Sequence, residues 1–269
     1  METLTKRVSE LLDIDSDFMR LCVNTSRVFW REEYYYKSTN MNDIETLYRS
    51  QNKFNLYGPR LEPEQHALQQ NLFVQKCFVI GYLLTECDVN DVLLYNNEEC
   101  AGTGKSLFVE ALKRINNLHT INICGRDRSL GYNPGIRFVK QVNSRISIHT
   151  RFIHIDDAAD IDMCMVLKHK LFPLQIKRKG EIDNFNGNAI PIVVSTNNAS
   201  GISNSSIRRR FYAVEFSDFY NLNEFRTPER DFHKHLFIDN YTDAERDNDK
   251  KFCEACIKFY EYYKGVINF

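Results

Sequence analysis

The sequence has no long apolar run. Its most apolar stretches are Cys77–Leu84 and Ile190–Val194, both far shorter than the roughly 20 residues that a helix needs to span a bilayer. The first residues alternate charges with leucines, and they lack the continuous apolar segment of a secretory signal. We therefore expect a cytoplasmic protein that has no membrane partner.

The sequence also has no excess of one charge. Its 35 Lys and Arg residues are balanced by 36 Asp and Glu residues, and the net charge is −1. This balance excludes a uniformly basic protein that coats nucleic acid, so any basic contact must be local. With 11 Gly, 6 Pro and 43% apolar residues, the chain is neither collagen-like nor disordered. Its length is compatible with one or two globular domains.

The eight cysteines lack the spacing of a disulfide framework. Cys253 and Cys256 form a lone CxxC motif, and a zinc site would need two further ligands at a compatible spacing. No such ligands lie near the motif, so we interpret the two cysteines as positions of one helix. We expect the cysteines to be reduced thiols.

Hydrophobic periodicity divides the chain into three parts. Helical spacing predicts helices over residues 1–30 and from Pro63 to about Leu84, with a polar stretch between them. Beyond residue 88, β-rich runs alternate with helical ones, which is typical of a three-layer α/β domain. The predicted strands are Val92–Tyr95, Thr120–Cys124, Phe152–Ile155, Ile190–Ser195 and Tyr212–Phe216, and the predicted later helices are Ser106–Ile115 and Asp243–Tyr263. We therefore expect a helical N-terminal region (1–88), an α/β domain (89–220) and a helical C-terminal appendage (221–269).

A Gly-rich loop lies between the first predicted strand and the clearest helix. It consists of Ala101, Gly102, Thr103, Gly104, Lys105 and Ser106. A strand, a tight loop and a helix in this order are what a P-loop requires, because the backbone amides then converge on phosphate oxygens. Lys105 would reach the β and γ phosphates of ATP, and Ser106 would bind the Mg²⁺ that bridges them. The alternative is a Gly-rich turn that only caps the helix.

Two acids end the third predicted strand. Asp156 and Asp157 follow Phe152–Ile155, and the carboxyl end of a strand faces the crevice where ligands bind. Asp156 is predicted to orient the hydrated Mg²⁺, and Asp157 is predicted to polarise the attacking water. The reverse assignment stays open. So does the alternative that the pair is a strand end facing solvent.

Polar residues also follow the next predicted strand. Asn197 could contact both the γ phosphate and the attacking water, although taken alone it could equally belong to a turn. Three arginines, Arg208, Arg209 and Arg210, then precede the last strand. A guanidinium can stabilise charge on a transferring phosphoryl group, and a neighbouring subunit can supply it. The arginines cannot all do so, because adjacent side chains point in different directions.

The segment from Lys168 to Lys179 is locally basic, with no acid in it. Lys177, Arg178 and Lys179, followed by Gly180, predict a hairpin with a basic edge. Such an edge suits contacts with phosphates that do not depend on base sequence. A solvated basic turn is the alternative.

The order of these elements resembles that of superfamily 3 helicases, in particular the helicase part of phage and plasmid primase-helicase proteins. The resemblance extends from about Gln65 to the end of the chain. It rests on GTGKS (102–106), IDD (155–157), KRK (177–179), VSTN (194–197) and RRRFYAVEFSDFY (208–220). It implies an AAA+-like P-loop NTPase fold and an ATP-driven ring, usually hexameric, that moves on single-stranded DNA.

The resemblance also implies roles for individual residues. Arg209 matches the arginine finger best and Arg210 next, Asn197 matches the sensor, and Lys177 and Lys179 match the DNA contacts. The implied function is DNA unwinding during replication of a phage or plasmid-like element. Two alternatives stay open, namely an ATPase that loads or remodels replication proteins and a slow nucleotide-dependent scaffold that assembles with a primase or polymerase.

Overall fold

The protein has an α/β fold. The computed structural model describes residues 4–27, 62–85, 90–96, 101–125, 142, 144–158, 174–178, 181–185, 190–197, 209–218, 234–239 and 241–266. The strands in these ranges are β1 (Asp91–Tyr95), β2 (His119–Cys124), β3 (Thr150–Asp156), β4 (Leu174–Arg178), β5 (Glu181–Phe185), β6 (Ile192–Ser195) and β7 (Phe211–Glu215). Five of them form an all-parallel sheet in the order β2-β3-β6-β1-β7, and β4 and β5 form a separate antiparallel hairpin.

The helices are α1 (Leu4–Leu12), α2 (Asp17–Asn24), α3 (Pro63–Leu84), α4 (Lys105–Asn116) and α5 (Asp243–Tyr263), with a short π-helical segment at His235–Asp239. Local chemistry accounts for the ends of the long helices. Pro63 occupies the first turn of α3, where its missing N–H costs nothing. At the start of α5, the N-cap residue Thr242 and Glu245 form a reciprocal capping box. Both helices have the bounds that the sequence predicts.

One predicted helix is interrupted. The single helix expected over residues 1–30 is wrong, because α1 ends at Leu12 and α2 begins at Asp17. The interruption contains Ser16, whose Oγ accepts the N–H of Met19 at 3.0 Å and so caps α2. The same hydroxyl donates to Oδ1 of Asp249 in α5 at 2.7 Å. The break therefore anchors the start of α2 to the C-terminal helix.

The two faces of the sheet bury different apolar residues. Val92 and Leu94 of β1 join a cluster with side chains from all five helices, whereas Leu93 joins a second cluster on the opposite face. This alternation follows from the two-residue period of a strand. The helices of residues 1–88 and of 221–269 thus share one apolar cluster with the sheet, and the proposed three-part division of the chain stays a prediction.

Helices α3 and α5 are in close contact at Gly81. A Cβ atom at this position would collide with the carbonyl oxygen of Cys256 and would lie 2.5 Å from Cβ of Tyr260. Only glycine therefore allows the two backbones to approach this closely. Cys253 and Cys256 of α5 are buried free thiols. Cys22 of α2 and Cys77 of α3 are buried free thiols as well. Within those ranges no helix is long and apolar enough to cross a bilayer.

The strand order places a crevice beside β1. After β1 the chain continues to β2 at one edge of the sheet, whereas after β6 it continues to β7 on the other side of β1. The connections that leave the neighbouring strands β1 and β6 therefore run in opposite directions. In open α/β sheets ligands bind at such a switch point, outside the carboxyl ends of the strands.

Candidate functional site

The Gly-rich loop lies at this crevice and leads directly into α4. Gly102 has φ 76° and Gly104 has φ 93°, which is left-handed backbone that glycine adopts without strain. Gly104 is the N-cap of α4, and helix hydrogen bonding begins with the N–H of Phe108, which donates to its carbonyl at 2.9 Å. The N–H groups of a first helical turn have no acceptor within the helix, so the positive end of α4 suits an anion.

Lys105 is held at the base of this loop. It is only 6% exposed, and its Nζ donates to Oγ1 of Thr103 at 2.8 Å. Thr103 is itself buried. A buried ammonium group requires compensating partners, and a phosphate oxygen in the loop would be a strong one. The lysine is thus positioned by the fold before any anion binds.

Ser106 and Asp156 are brought together from α4 and β3. The Ser106 hydroxyl donates to Oδ1 of Asp156 at 2.6 Å. Hydroxyl and carboxylate oxygens are ligands that Mg²⁺ accepts, and this ion usually keeps several waters and binds through one or two protein groups plus phosphate oxygens. The Ser106–Asp156 pair therefore fits a hydrated Mg²⁺ that shares its ligands with a phosphate.

Asp157 and Asn197 form a second polar pair beside the first. The Asn197 amide donates to Oδ1 of Asp157 at 3.3 Å. Asp157 has φ 55°, a left-handed conformation that Asp tolerates better than most residues. Two bonds fix the turn against β6, because Ala158 N–H donates to the Ser195 carbonyl and Thr196 Oγ1 donates to the Ala158 carbonyl, both at 2.8 Å.

A buried histidine lies beneath the acids. Nε2 of His154 is 2.9 Å from Oγ of Ser195 and 3.9 Å from Oδ1 of Asp156. Burial lowers the pKa of His154 to about 4, although the nearby Asp156 opposes this shift. The imidazole is therefore neutral at pH 7 and does not offset the negative charge of Asp156. That charge remains available to a metal ion.

These residues line one cavity of about 530 Å³. Its lining consists of Ala101, Gly102, Thr103, Gly104, Lys105, Ser106, Leu107, Glu110, Asp156, Asp157, Ser195, Asn197, Lys234 and Ile238. The volume lies in the range typical of small-molecule and cofactor sites. In the described part of the chain, two lysines and three carboxylates lie on its wall, so the cavity combines groups that can bind phosphate with groups that can bind a cation.

The cavity unites the predicted phosphate loop, both predicted acids and the predicted sensor. Arg209 and Arg210 are elsewhere: they are exposed, and they precede β7. Because β7 runs parallel to β1, residues before it lie at the amino edge of the sheet, about 16 Å from the carboxyl edge for strands of this length. The two arginines therefore do not reach the cavity of their own chain. Arg208 lies outside the described residues.

The predicted basic hairpin is present as β4 and β5. These strands are antiparallel, and Lys177 pairs with Ile182 while Arg178 pairs with Glu181. The short connection between the strands contains Lys179, which lies outside the described residues. The role of the three basic residues in DNA binding stays a prediction.

Five cavity residues were not among the predicted site residues, namely Leu107, Glu110, Ser195, Lys234 and Ile238. Glu110 lies one helical turn after Ser106, so the periodicity of α4 could have identified it. Lys234 and Ile238 come from a segment more than one hundred residues after the loop, where no motif marks them.

Comparison with known proteins gives no family model that matches the chain and no matching curated protein.

Proposed function

We propose that the protein is an ATP hydrolase that drives DNA unwinding, a superfamily 3 helicase of a phage or plasmid-like element. The observation that carries this proposal is the cavity in which the loop 101–106, the two acids at the carboxyl end of β3 and Asn197 after β6 meet. Strand β6 lies between β1 and β3, so Asn197 lies between the phosphate loop and the acids. That position suits a side chain that contacts the γ phosphate of ATP.

The loop binds and orients the triphosphate in this proposal. Amides of the loop and of the first turn of α4 surround the phosphates, and Lys105 contacts the β and γ phosphates with its buried ammonium group. Ser106 and Asp156 would hold Mg²⁺, which would neutralise the charge that develops on the phosphate oxygens. Positioning of this kind accounts for most catalysis of phosphoryl transfer.

Asp157 accepts the proton of the attacking water. Its neighbour Asn197 donates to one carboxylate oxygen, which helps to orient the carboxylate toward the water. The reaction breaks the bond between the γ phosphorus and the bridging oxygen, and water supplies the new oxygen. The proton that water loses goes to Asp157, and the products are ADP and phosphate.

The position of the arginines supports an assembly of several subunits. A guanidinium that stabilises the transferring phosphoryl group must touch it, yet Arg209 and Arg210 are exposed at the sheet edge opposite to the cavity. In a ring, the exposed edge of one subunit can contact the cavity of its neighbour. We therefore assign the finger role to Arg209, with Arg210 as second choice, acting on the adjacent subunit of a homo-oligomer that we expect to be hexameric.

The DNA part of the proposal rests on the basic hairpin. Lys177 and Arg178 lie on a two-stranded ribbon that is separate from the five-stranded sheet, and Lys179 follows directly. A basic ribbon can contact the phosphates of single-stranded DNA without reading its sequence. Movement of such ribbons, driven by ATP hydrolysis, would then translocate the single-stranded DNA.

ATP hydrolysis with and without single-stranded DNA tests the proposal. Wild type should hydrolyse ATP in the presence of Mg²⁺, and DNA should stimulate the reaction. Lys105→Ala should lose turnover by roughly a hundredfold or more, because it removes a group that stabilises the charge of the transition state. Lys258→Ala is the matched control, since Lys258 is an exposed lysine of α5 that does not line the cavity.

Three results would contradict the proposal in different ways. Near-normal turnover of a folded Lys105→Ala variant would refute the phosphate loop. Turnover that DNA does not stimulate would favour an ATPase that remodels or loads proteins. Negligible turnover of wild type with retained ATP binding would favour a nucleotide-dependent scaffold. Circular dichroism of each variant establishes that the fold is intact.

A further inference from the structure

The cavity has a second cationic residue, on the wall formed by the C-terminal part of the chain. Lys234 and Ile238 line the same space as the loop 101–106, although they come from a different part of the sequence. Lys234 is exposed, unlike the buried Lys105. The two lysines therefore approach the cavity from different elements, one at its base and one at its rim.

The wall that presents Lys234 is firmly attached to the rest of the fold. Leu236 and Phe237 are buried in the helical cluster, and the Phe237 ring packs edge to face on Phe18 of α2 at 6.3 Å between centroids. Nη1 of Arg114 donates to the carbonyl oxygen of Ile238 at 2.7 Å. Arg114 belongs to α4, the helix that the phosphate loop begins. The wall and the loop are thus attached to the same helix.

Spacing along the segment directs Lys234 toward the cavity. Lys234 and Ile238 are four residues apart, so they share one side of the helical turn, while Leu236 and Phe237 between them face the core. Single turns of π-helix such as 235–239 occur often at functional sites. Because Leu236 and Phe237 are buried, packing fixes the segment that places Lys234 at the cavity rim.

Charge identifies the ligand group that this lysine suits. Among the described residues, the cavity wall carries three carboxylates, Glu110, Asp156 and Asp157, against Lys105 and Lys234. A triphosphate adds more negative charge than Lys105 and one Mg²⁺ neutralise, and an ammonium group at the rim is a point-charge partner for phosphate. The rim lysine therefore serves the phosphates, in addition to the loop lysine.

We propose that Lys234 is a second phosphate-binding residue of this site, supplied within the same subunit by the wall opposite the loop. This inference rests on the proposed nucleotide site and adds a residue that no motif marks. It assigns the 234–239 segment a direct part in holding ATP. Because Lys234 is exposed, its replacement leaves the buried residues of the segment unchanged.

The test uses two probes, ATP and inorganic tripolyphosphate, each with Mg²⁺, in equilibrium binding to the full chain. Tripolyphosphate has no base or ribose, so it reports phosphate contacts alone. Lys234→Ala should weaken both probes by about tenfold, which is the usual effect of one charged hydrogen bond. Lys234→Arg should keep most of the affinity because it retains the charge, and Lys258→Ala should bind as wild type does.

The outcomes separate this inference from the proposed function. If wild type binds both probes, Lys105→Ala loses them and Lys234→Ala binds normally, the role of Lys234 is refuted and the nucleotide site stands. If Lys234→Ala weakens ATP but not tripolyphosphate, the lysine contacts base or ribose and the phosphate assignment is refuted. If wild type binds neither probe, the proposed function itself fails.

Discussion

Replacement of one buried lysine should change how the stability of the protein depends on pH. Lys76 of α3 is fully buried, and its Nζ donates to Oγ of Ser26 at 3.1 Å, to the Leu72 carbonyl at 3.3 Å and to the Glu215 carbonyl at 2.8 Å. Its ammonium group also lies 4.5 Å from the centroid of the Phe216 ring. The perturbation is Lys76→Met, which keeps the apolar stem and removes the titrating group.

The magnitude follows from the pKa of Lys76, which burial lowers from 10.5 to about 7 although Cys22 and Glu215 oppose the shift. Between these two values the unfolded chain binds more protons than the folded one, so stability rises with pH. Each pH unit within this window contributes about 1.4 kcal/mol. From about pH 6 to about pH 9, wild type should therefore gain roughly 3 kcal/mol relative to Lys76→Met.

Urea unfolding at a series of pH values, with a reductant present, measures this effect. The quantity of interest is the free energy of unfolding of wild type minus that of Lys76→Met, since subtraction removes the contributions of other titrating groups. Lys258→Met, at an exposed position of the same α-helical layer, should give a difference that is flat with pH. A flat difference for Lys76→Met as well would refute the reasoning that this lysine loses its proton inside the fold.

Three further results are expected. Burial raises the pKa of Asp249 from 3.8 to about 6, against hydrogen bonds from Phe18, Tyr241 and Ser16, so the folded state holds this proton more tightly. Wild type should thus gain about 3 kcal/mol relative to Asp249→Asn as pH falls from above 6 to below 4, measured by urea unfolding. Mixing Arg209→Ala subunits with Lys105→Ala subunits should restore part of the ATPase activity if the two variants co-assemble. If mixed assemblies form but activity does not recover, Arg209 does not act on the neighbouring subunit. Replacement of residues 177–179 by Ala should weaken the binding of single-stranded DNA of any sequence, and the affinity should depend less on salt concentration. ATP hydrolysis without DNA should be unchanged. An unchanged DNA affinity and an unchanged salt dependence would contradict the hairpin as the DNA contact.

The sequence predicts the strands and the long helices well because their signals are local. The apolar run at Val92–Tyr95 falls within β1, and the helix Asp243–Tyr263 has the bounds of α5. The first helix was predicted too long because apolar periodicity continues across residues 13–16. There a side-chain cap and a bond to Asp249, which is distant in the sequence, decide the structure. Periodicity cannot indicate a partner more than two hundred residues away.

The candidate site was predictable to the extent that its residues follow strands. The loop 101–106, Asp156, Asp157 and Asn197 all lie at or just beyond the carboxyl ends of strands in one parallel sheet, and such ends share an edge. Lys234 and Ile238 reach the same cavity through a tertiary contact between their segment and α4. No periodicity in the sequence encodes that contact, so this wall emerges only in the folded chain.

Strand direction also explains why Arg209 and Arg210 lie at a different edge of the sheet from the Gly-rich loop. A residue just before a parallel strand lies at the amino edge, and a residue just after one lies at the carboxyl edge. Arg210 immediately precedes β7, and its carbonyl accepts the N–H of Asp91 at the start of β1 at 2.8 Å, which fixes it at the amino edge. The loop 101–106 follows the other end of β1 and therefore lies at the carboxyl edge of the sheet. If Arg209 or Arg210 serves the phosphates, as we propose, it must therefore come from a second copy of the chain, and the proposed hydrolysis would then depend on assembly.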